Sequence, residues 1–560
     1  MISPQRISLG RLFWVKDIGD YLLLKGDNMR KRIFVNRVIA LVLVLIVATG
    51  LCGCGSKEVA DEYKNFYEIF VYSYADGDGD GIGDFKGLTD KLDYLSDGKA
   101  GKGEDLGINA IWLMPIMPST TYHKYDVIDY YNIDPEYGTM DDFDKFMEEC
   151  NKRNIEVIID LVTNHTSSSH PWFVEACEYI RSLPDGVEPS KAECKYFDYY
   201  NFTKESLPNY YQVPGTQWYY EAQFWDGMPD LNLYSDEVQK ELLDIASFWM
   251  DKGVYGFRMD ACGEFYSGHT QESIHLLETF VTNVKEKYPD CYLVGEIWDG
   301  METYTAYYAS GINSVFDFEF SGVEGLITES LRKLITASEY GYEQQKIQEV
   351  VRSYGEHAID APFYTNHDLP RGAGYHAGEE GLTLSKMSIA MNQFMWGNSF
   401  LYYGEEIGMK GSGKDENKRA PMQWTTQDSD VMCDGPKEMD SIKMKYGSLE
   451  EQMKDPDSIF NFTKMILQMK SKYPSIARGT VTFMKAASTD SICTIKKEWN
   501  DETIAIVYNL SDEVQAADLS SIWDGKKQIA EYILTEKNQV VFEDDVLEMP
   551  GHSILIIEQK

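Results

Sequence analysis

The chain has 560 residues, of which 43% are hydrophobic, with 11 Trp. That is enough apolar matter for several cores and too much for a disordered chain. The 91 acidic residues outnumber 52 basic ones and set a net charge of −39. Such a charge repels phosphate backbones and anionic headgroups, which argues against a nucleic-acid partner. It suits neutral or cationic partners, and most of the acid reads as a solvated face.

The N-terminal stretch reads as a targeting segment. From Met29 the chain runs "MRKRIFVNRVIALVLVLIVATGLCGC". Four basic residues (Arg30, Lys31, Arg32, Arg37) precede the apolar run from Val38 to Leu51. That run is short for a membrane span and of the right length for a signal-peptide core. It ends in "LCGC" (51–54), which resembles a bacterial lipobox with Cys54 as the lipidated residue. The alternative is an uncleaved membrane anchor. Both readings export the body of the chain, so residues 1–54 form a leader and Met29 is the expected start. The expected location is extracytoplasmic, either secreted or held at the bacterial cell membrane by lipid alone.

Next comes "FYEIFVYSY" (66–74), β-branched and aromatic as a strand requires. The acidic loop "DGDGDGIGD" (76–84) follows. Asp76, Asp78, Asp80 and Gly81 match the first positions of an EF-hand loop. Gly87 stands where the bidentate Glu belongs, and the preceding strand replaces the EF-hand helix. On spacing alone, metal binding and a solvated Asp-Gly turn both stay open.

Further apolar runs then alternate with helical stripes. "INAIWLMPI" (108–116) and "IEVIIDLV" (155–162) read as buried strands, separated by Phe143, Phe146, Met147 and Cys150 at helical spacing. A polar and aromatic stretch without period, about 166–235, comes next. Helical stripes then lead into "VYGFRMD" (254–260) and "CYLVGE" (291–296). "SVFDFEF" (314–320), "PFYTNHD" (362–368) and "SFLYYGEE" (399–406) complete eight strand-like runs. Alternation of this kind implies parallel pairing, and eight units predict a (β/α)8 barrel with insertions. An open doubly wound sheet is the alternative, but no GxGxxG follows the first strand.

From about 480 the pattern changes to short strands with turns: "VTFMKA", "ICTIKKEW", "TIAIVYNL", "QIAEYIL", "VVFE" and "SILIIE". They predict a separate antiparallel β-domain. The seven cysteines beyond the leader are scattered, odd in number and free of CxxC, so they form neither a disulfide framework nor a zinc site.

Three acidic residues stand out by position. Asp260, Glu296 and Asp368 each end a strand-like run, and in a parallel barrel those ends share one face. A carboxylate there is costly to bury without a task or a partner. Arg258, two residues before Asp260, lies on the same strand face and can keep that carboxylate ionised. Asp160, His165, His367 and Arg419 lie near the same rim. Paired carboxylates in one cleft suit glycoside hydrolysis, in which one group protonates the leaving oxygen and another attacks or stabilises the sugar cation.

The ordered set "YDVIDYYNIDPEYGT" (125–139), "DLVTNH" (160–165), "MPDLN" (228–232), "GFRMDA" (256–261), "VGEIW" (294–298), "FYTNHD" (363–368), "GEEIGM" (404–409) and "RAPMQW" (419–424) resembles the α-amylase superfamily, glycoside hydrolase family 13. The resemblance covers about residue 66 to the C-terminus. It implies a (β/α)8 TIM barrel over 60–165 and 236–478, and a domain B inserted after strand 3 over 166–235. A C-terminal antiparallel β-sandwich would occupy 479–560. It implies that Asp260 is the nucleophile, Glu296 the general acid and base, and Asp368 the residue that holds ring hydroxyls. It gives Tyr125, His165, Arg258, His367 and Arg419 to substrate binding. Related barrels carry a calcium loop after the first strand, which implies Asp76, Asp78, Asp80, the Ile82 carbonyl and Asp84 as Ca2+ ligands. Asn164 and Asp230 match two ligand positions of a second calcium, where Gly263-Glu264 replaces the family's Lys-His.

Ala261 after the nucleophile goes with α-1,4 links, and Tyr122 is more amylase-like than the Asp of many α-glucosidases. The resemblance therefore implies endo-acting, retaining hydrolysis of α-1,4-glucosidic bonds in starch and maltooligosaccharides by a monomer. An exo-acting α-glucosidase or oligo-1,6-glucosidase is the near alternative, and a non-catalytic glucan-binding or transporter-ancillary barrel the distant one. Tyr210, Tyr211, Trp218, Tyr219 and Trp225 are open to two readings, sugar stacking or packing.

Overall fold

The structure, a computed structural model, describes residues 61–99, 105–184, 186–427, 429 and 431–559. The leader and Cys54 lie outside the described residues.

Eight strands make the centre: β1 (Asn65–Ile69), β2 (Ala110–Leu113), β3 (Glu156–Leu161), β4 (Gly256–Met259), β5 (Tyr292–Gly295), β6 (Ser314–Asp317), β7 (Ala361–Pro362) and β8 (Ser399–Tyr402). They pair in parallel in the order β7-β6-β5-β4-β3-β2-β1-β8. A parallel bridge between Phe363 and Phe400 joins the two ends, so the sheet closes on itself.

Alternation along each strand sends one set of side chains into the lumen. Phe66, Trp112, Ile158, Tyr292, Val294, Phe316 and Phe400 meet there as one apolar cluster. Phe66 and Phe400 stack at 4.4 Å. Each such side chain contributes about 1.5–3 kcal/mol by burial. The opposite set, such as Tyr67 and Ile69, packs in the main core that also takes in the outer helices. The helix Met140–Lys152 shows how the sequence assigns that layer. A capping box between Thr139 and Asp142 starts it, and Phe143, Phe146, Met147 and Cys150 form its buried face.

Between β3 and β4 the chain leaves the barrel. It forms the helix Pro171–Ser182 and a three-stranded sheet of Phe202–Thr203, Tyr219–Glu221 and Tyr210–Gln212. Beyond the barrel, a five-stranded antiparallel sheet (Thr480–Phe483, Ile492–Trp499, Glu502–Asn509, Ser553–Gln559, Lys527–Tyr532) faces a three-stranded one (Gln515–Asp518, Val546–Met549, Val541–Glu543). Ile492, Val507, Leu547, Met549, Leu555 and Ile557 form their common core. The strands Gln515–Asp518 and Val546–Met549 are not visible in the apolar pattern, because exposed Ala and Glu alternate with single buried residues. All seven cysteines of the described residues are buried. Among those residues no helix is long and apolar enough to cross a membrane.

Candidate active site

Asp260 directly follows β4 and Glu296 directly follows β5, which puts both at the C-terminal mouth of the barrel. Asp368 arrives differently. The pattern predicts a strand through 368, but β7 stops at Pro362, with one further bridge at Phe363. Asp368 is held instead by a turn: Asn366 Oδ1 accepts the backbone N–H groups of Asp368 and Leu369, each at 3.0 Å.

Arg258 organises the centre. It is 1% exposed, and its guanidinium reaches three carboxylates. Nη1 donates to Asp160 Oδ1 at 2.9 Å and to Asp260 Oδ1 at 2.5 Å, and Nη2 donates to Glu296 Oε2 at 2.8 Å. Its face lies over Trp112 at 5.4 Å and Tyr125 at 5.8 Å. A buried guanidinium stays charged, so it keeps at least part of this acidic group ionised. Burial raises the Glu296 carboxyl; Arg258 opposes this, and the neighbouring Asp260 and Asp368 add to it.

A second cluster lies beside the first. His367 Nε2 is 2.9 Å from Asp368 Oδ2, and Arg419 Nη2 donates to Asp368 Oδ1 at 2.9 Å. Burial works against the Asp368 carboxylate, but His367 and Arg419 outweigh it and hold Asp368 well below the usual carboxylate range. Tyr125 OH donates to Asp160 Oδ2 at 2.8 Å, and its ring stacks on His367 at 5.5 Å. Arg419 also pairs with Asp415, which accepts the Tyr122 hydroxyl at 2.8 Å.

Tyr125, Asp260, Glu296, Asp368, Asp415 and Arg419 line a cleft of about 570 Å³. His165 is on its wall, buried and edge-on to Phe224 at 5.1 Å. Burial pushes the His165 imidazole below its ordinary value, with Asp260 pulling the other way. Of the five aromatics left open between stacking and packing, Trp225 lines the cleft, whereas Trp218 packs edge-on to Phe197 at 5.9 Å. Trp298, 58% exposed, offers a flat face at the mouth and is stacked from behind by Phe318 at 5.2 Å. The structure thus brings together Asp260, Glu296, Asp368, Tyr125, His165, Arg258, His367 and Arg419.

The sequence reading missed Glu68, Asp415, His123, Phe224 and Trp298 at this site. Glu68 carried a signal: a carboxylate inside the apolar run "FYEIF" is the same anomaly that pointed to Asp260. Asp415 carried none, since "KDENK" reads as an ordinary polar loop.

The acidic loop lies elsewhere. Carboxylate oxygens of Asp76, Asp78 and Asp84 fall within 4.8 Å of one another. Asp80 stays outside that group and accepts the Ile82 N–H at 2.8 Å. Asp76 accepts the N–H groups of Gly79 at 2.6 Å and Gly81 at 2.7 Å, and Asp84 caps the helix Phe85–Asp90 by accepting Gly87 N–H at 2.7 Å. Glycines at φ +90° at positions 79 and 81 let the loop curl around its carboxylates. At the positions resembling a second calcium site, Asn164 Nδ2 donates to Asp230 Oδ1 at 3.2 Å, and Gln223 Nε2 donates to Glu264.

The family described as the α-amylase catalytic domain matches residues 68–479. "Alpha-amylase 3" of Dictyoglomus thermophilum is 35% identical over 544 residues, covering 92% of this chain and 98% of that one. The "Glucan 1,6-alpha-glucosidase" of Streptococcus pneumoniae is 28% identical, covering 80% and 91%. The solved structure of Eubacterium rectale Amy13B superimposes with a TM-score of 0.85 at 46% identity, covering 90% of this chain and 96% of that one.

Proposed function

The chain belongs to the α-amylase catalytic-domain family, and from that membership we propose a retaining glycoside hydrolase that cleaves α-1,4-glucosidic bonds in starch, maltodextrins and related α-glucans. The observation that carries the mechanism is the sharing of one guanidinium by Asp260 and Glu296. Retaining enzymes hold their two carboxyl groups about 5–5.5 Å apart. Two terminal nitrogens of a single Arg, each taking one carboxylate, hold the two groups close together, as retention requires.

In the first step Glu296 gives its proton to the glycosidic oxygen as the bond to C1 breaks, and an Asp260 oxygen bonds to C1. In the second, Glu296 takes a proton from water, the water oxygen bonds to C1 and Asp260 leaves as a carboxylate. Asp368, kept ionised by His367 and Arg419, accepts hydrogen bonds from ring hydroxyls. Tyr125 supplies the stacking face for the cleaved sugar, with His165 at its hydroxyls and His367 acting through Asp368. Phe224, Trp225 and Trp298 are exposed along the cleft and suit further sugars. They support internal cutting over removal of single end units. The second reading, an exo-acting α-glucosidase or 1,6-glucosidase, is favoured by the similarity to the Streptococcus enzyme.

Asp76, Asp78 and Asp84 offer an oxygen-only donor set that fits Ca2+, with Asp80 and the Ile82 carbonyl completing the expected ligands. The ion would neutralise three converging carboxylates and pin the loop behind β1, away from the chemistry. A lipid at Cys54 would hold a monomeric enzyme on the outer side of the cell membrane, where polymeric glucan is met.

Product analysis on a long maltooligosaccharide tests the function. Internal products from the wild type, none from Asp260→Asn, and retained anomeric configuration support it. Release of glucose alone from chain ends moves the assignment to the exo-acting reading. A folded, calcium-loaded wild type that makes no products overturns hydrolysis.

A further inference from the structure

Glu68 has no place in the reaction as drawn, yet it is buried at the floor of the site. It follows Phe66 by two residues on β1 and so points into the same lumen, beneath the catalytic mouth. It is 1% exposed and lines none of the cleft. Its Oε1 is 2.6 Å from His367 Nδ1 and also accepts the His367 backbone N–H at 3.3 Å. The other ring nitrogen, Nε2, faces Asp368 Oδ2 at 2.9 Å and Tyr125 OH at 2.7 Å.

With Glu68 and Asp160 ionised, hydrogen counting fixes the state of this ring. A neutral imidazole has one N–H, and its other nitrogen can only accept. A carboxylate can only accept as well. Tyr125 has a single hydroxyl hydrogen, which goes to Asp160 Oδ2 at 2.8 Å, so the phenol oxygen is free to accept from Nε2. Both ring nitrogens therefore face acceptors, and each needs a proton.

We propose that Glu68 is a positioning residue that keeps His367 doubly protonated and fixed in plane, so that the imidazolium, wedged between Glu68 and Asp368, holds Asp368 ionised and oriented toward the sugar. The inference rests on the hydrolase reading for its kinetic test but not for its direct one. The charged and titratable groups that face the ring are Glu68 from β1, Tyr125, Asp160 from β3, Arg258 from β4, Glu296 after β5 and Asp368 beside it. Burial opposes the charge on His367, but Asp368 and Glu68 outweigh it and lift the imidazole to about 9. Burial raises the Glu68 carboxyl in turn, and His367 pulls it back. Glu68→Gln keeps the shape and a hydrogen-bond acceptor but removes one of the two charges.

The direct test is the ring state in 15N-histidine-labelled protein, with the His367 signals assigned by their loss in His367→Gln. At pH 7.5 both nitrogens of wild-type His367 are expected to be protonated. In Glu68→Gln the ring should lose its second proton at least about one pH unit lower. The ratio of variant to wild-type kcat/KM on a maltooligosaccharide should shift with it, about tenfold lower at a pH between the two ring values than at a pH below both. That shift should vanish when Glu68→Gln is made in the His367→Gln background. A neutral wild-type His367 at pH 7.5 overturns the proposal whether or not the variant folds. A Glu68→Gln ring that titrates like the wild type overturns it too, as does a kcat/KM ratio that is the same at both pH values in an active enzyme.

Discussion

The backbone N–H of Ala261 donates to Oε2 of Glu296 at 3.1 Å. The residue after the proposed nucleophile thus orients the proposed acid, and it does so from the left-handed region, with φ at 48°. That conformation costs an L-residue roughly 1–2 kcal/mol and is worse for a β-branched one. Ala261→Gly should keep the N–H, relieve the strain and leave the melting temperature equal or higher. Ala261→Val should lower it and slow turnover. Thermal melts beside kcat for the two variants check this; a Val variant as stable as the wild type would show that the backbone relaxes.

Glu296→Gln can still accept from Ala261 and Arg258 but has no proton to give. On a maltooligosaccharide, kcat should fall by about 10²–10⁴-fold. On an α-glucoside with a dinitrophenyl leaving group, which departs without protonation, the first step should be largely spared. Equal losses on both substrates would mean that Glu296 is not the acid.

Asp317, at the end of β6, and Asp360, just before β7, are buried side by side. Burial pushes Asp317 up to about 7, despite a hydrogen bond from Tyr304 at 2.7 Å. Burial and the neighbouring Asp317 charge raise Asp360 as well. Raised carboxyl groups bind protons more tightly in the folded state than in the unfolded chain, whose Asp titrates near about 3.9. The stability Asp317 contributes is therefore full below about pH 4 and is lost as pH rises through about 7, and that of Asp360 also falls as pH rises. Asp360→Asn should melt several degrees above the wild type at pH 8 and close to it at pH 5. A variant that is less stable at both values would refute this account.

Calcium removal should lower the melting temperature, because three converging carboxylates then repel one another without a counter-charge. Asp78→Asn is the informative variant. Asp78 is exposed and its side chain caps only Asp80 N–H at 3.2 Å, so its loss should weaken metal binding and little else. Asp84→Asn also disturbs a helix cap and cannot separate the two effects. A melting curve unchanged by chelation would remove the metal from the account.

Cys54→Ala should move the protein from the membrane fraction to the soluble one, with the palmitate label lost. Unchanged membrane association would exclude the lipid anchor.

The order of apolar runs and helical stripes was enough to give the barrel, since parallel strands with helical crossovers leave few other ways to bury both faces. The carboxylates at strand ends were legible for the same reason: Asp260 and Glu296 each follow a run that has to be buried. The pairing of those charges was not legible. Arg258 stands two residues from Asp260 in the sequence, but its contact with Glu296 depends on the closure of β4 against β5. Asp368 depends on a turn built by Asn366, and Glu68 on the alternation that turns it inward beneath a histidine 299 positions away. The sequence by itself determined which residues must be inside and which chemistry they carry. Only the tertiary structure decided which charges meet, because at distances near 3 Å in a buried site the partner, not the residue type, sets the protonation state.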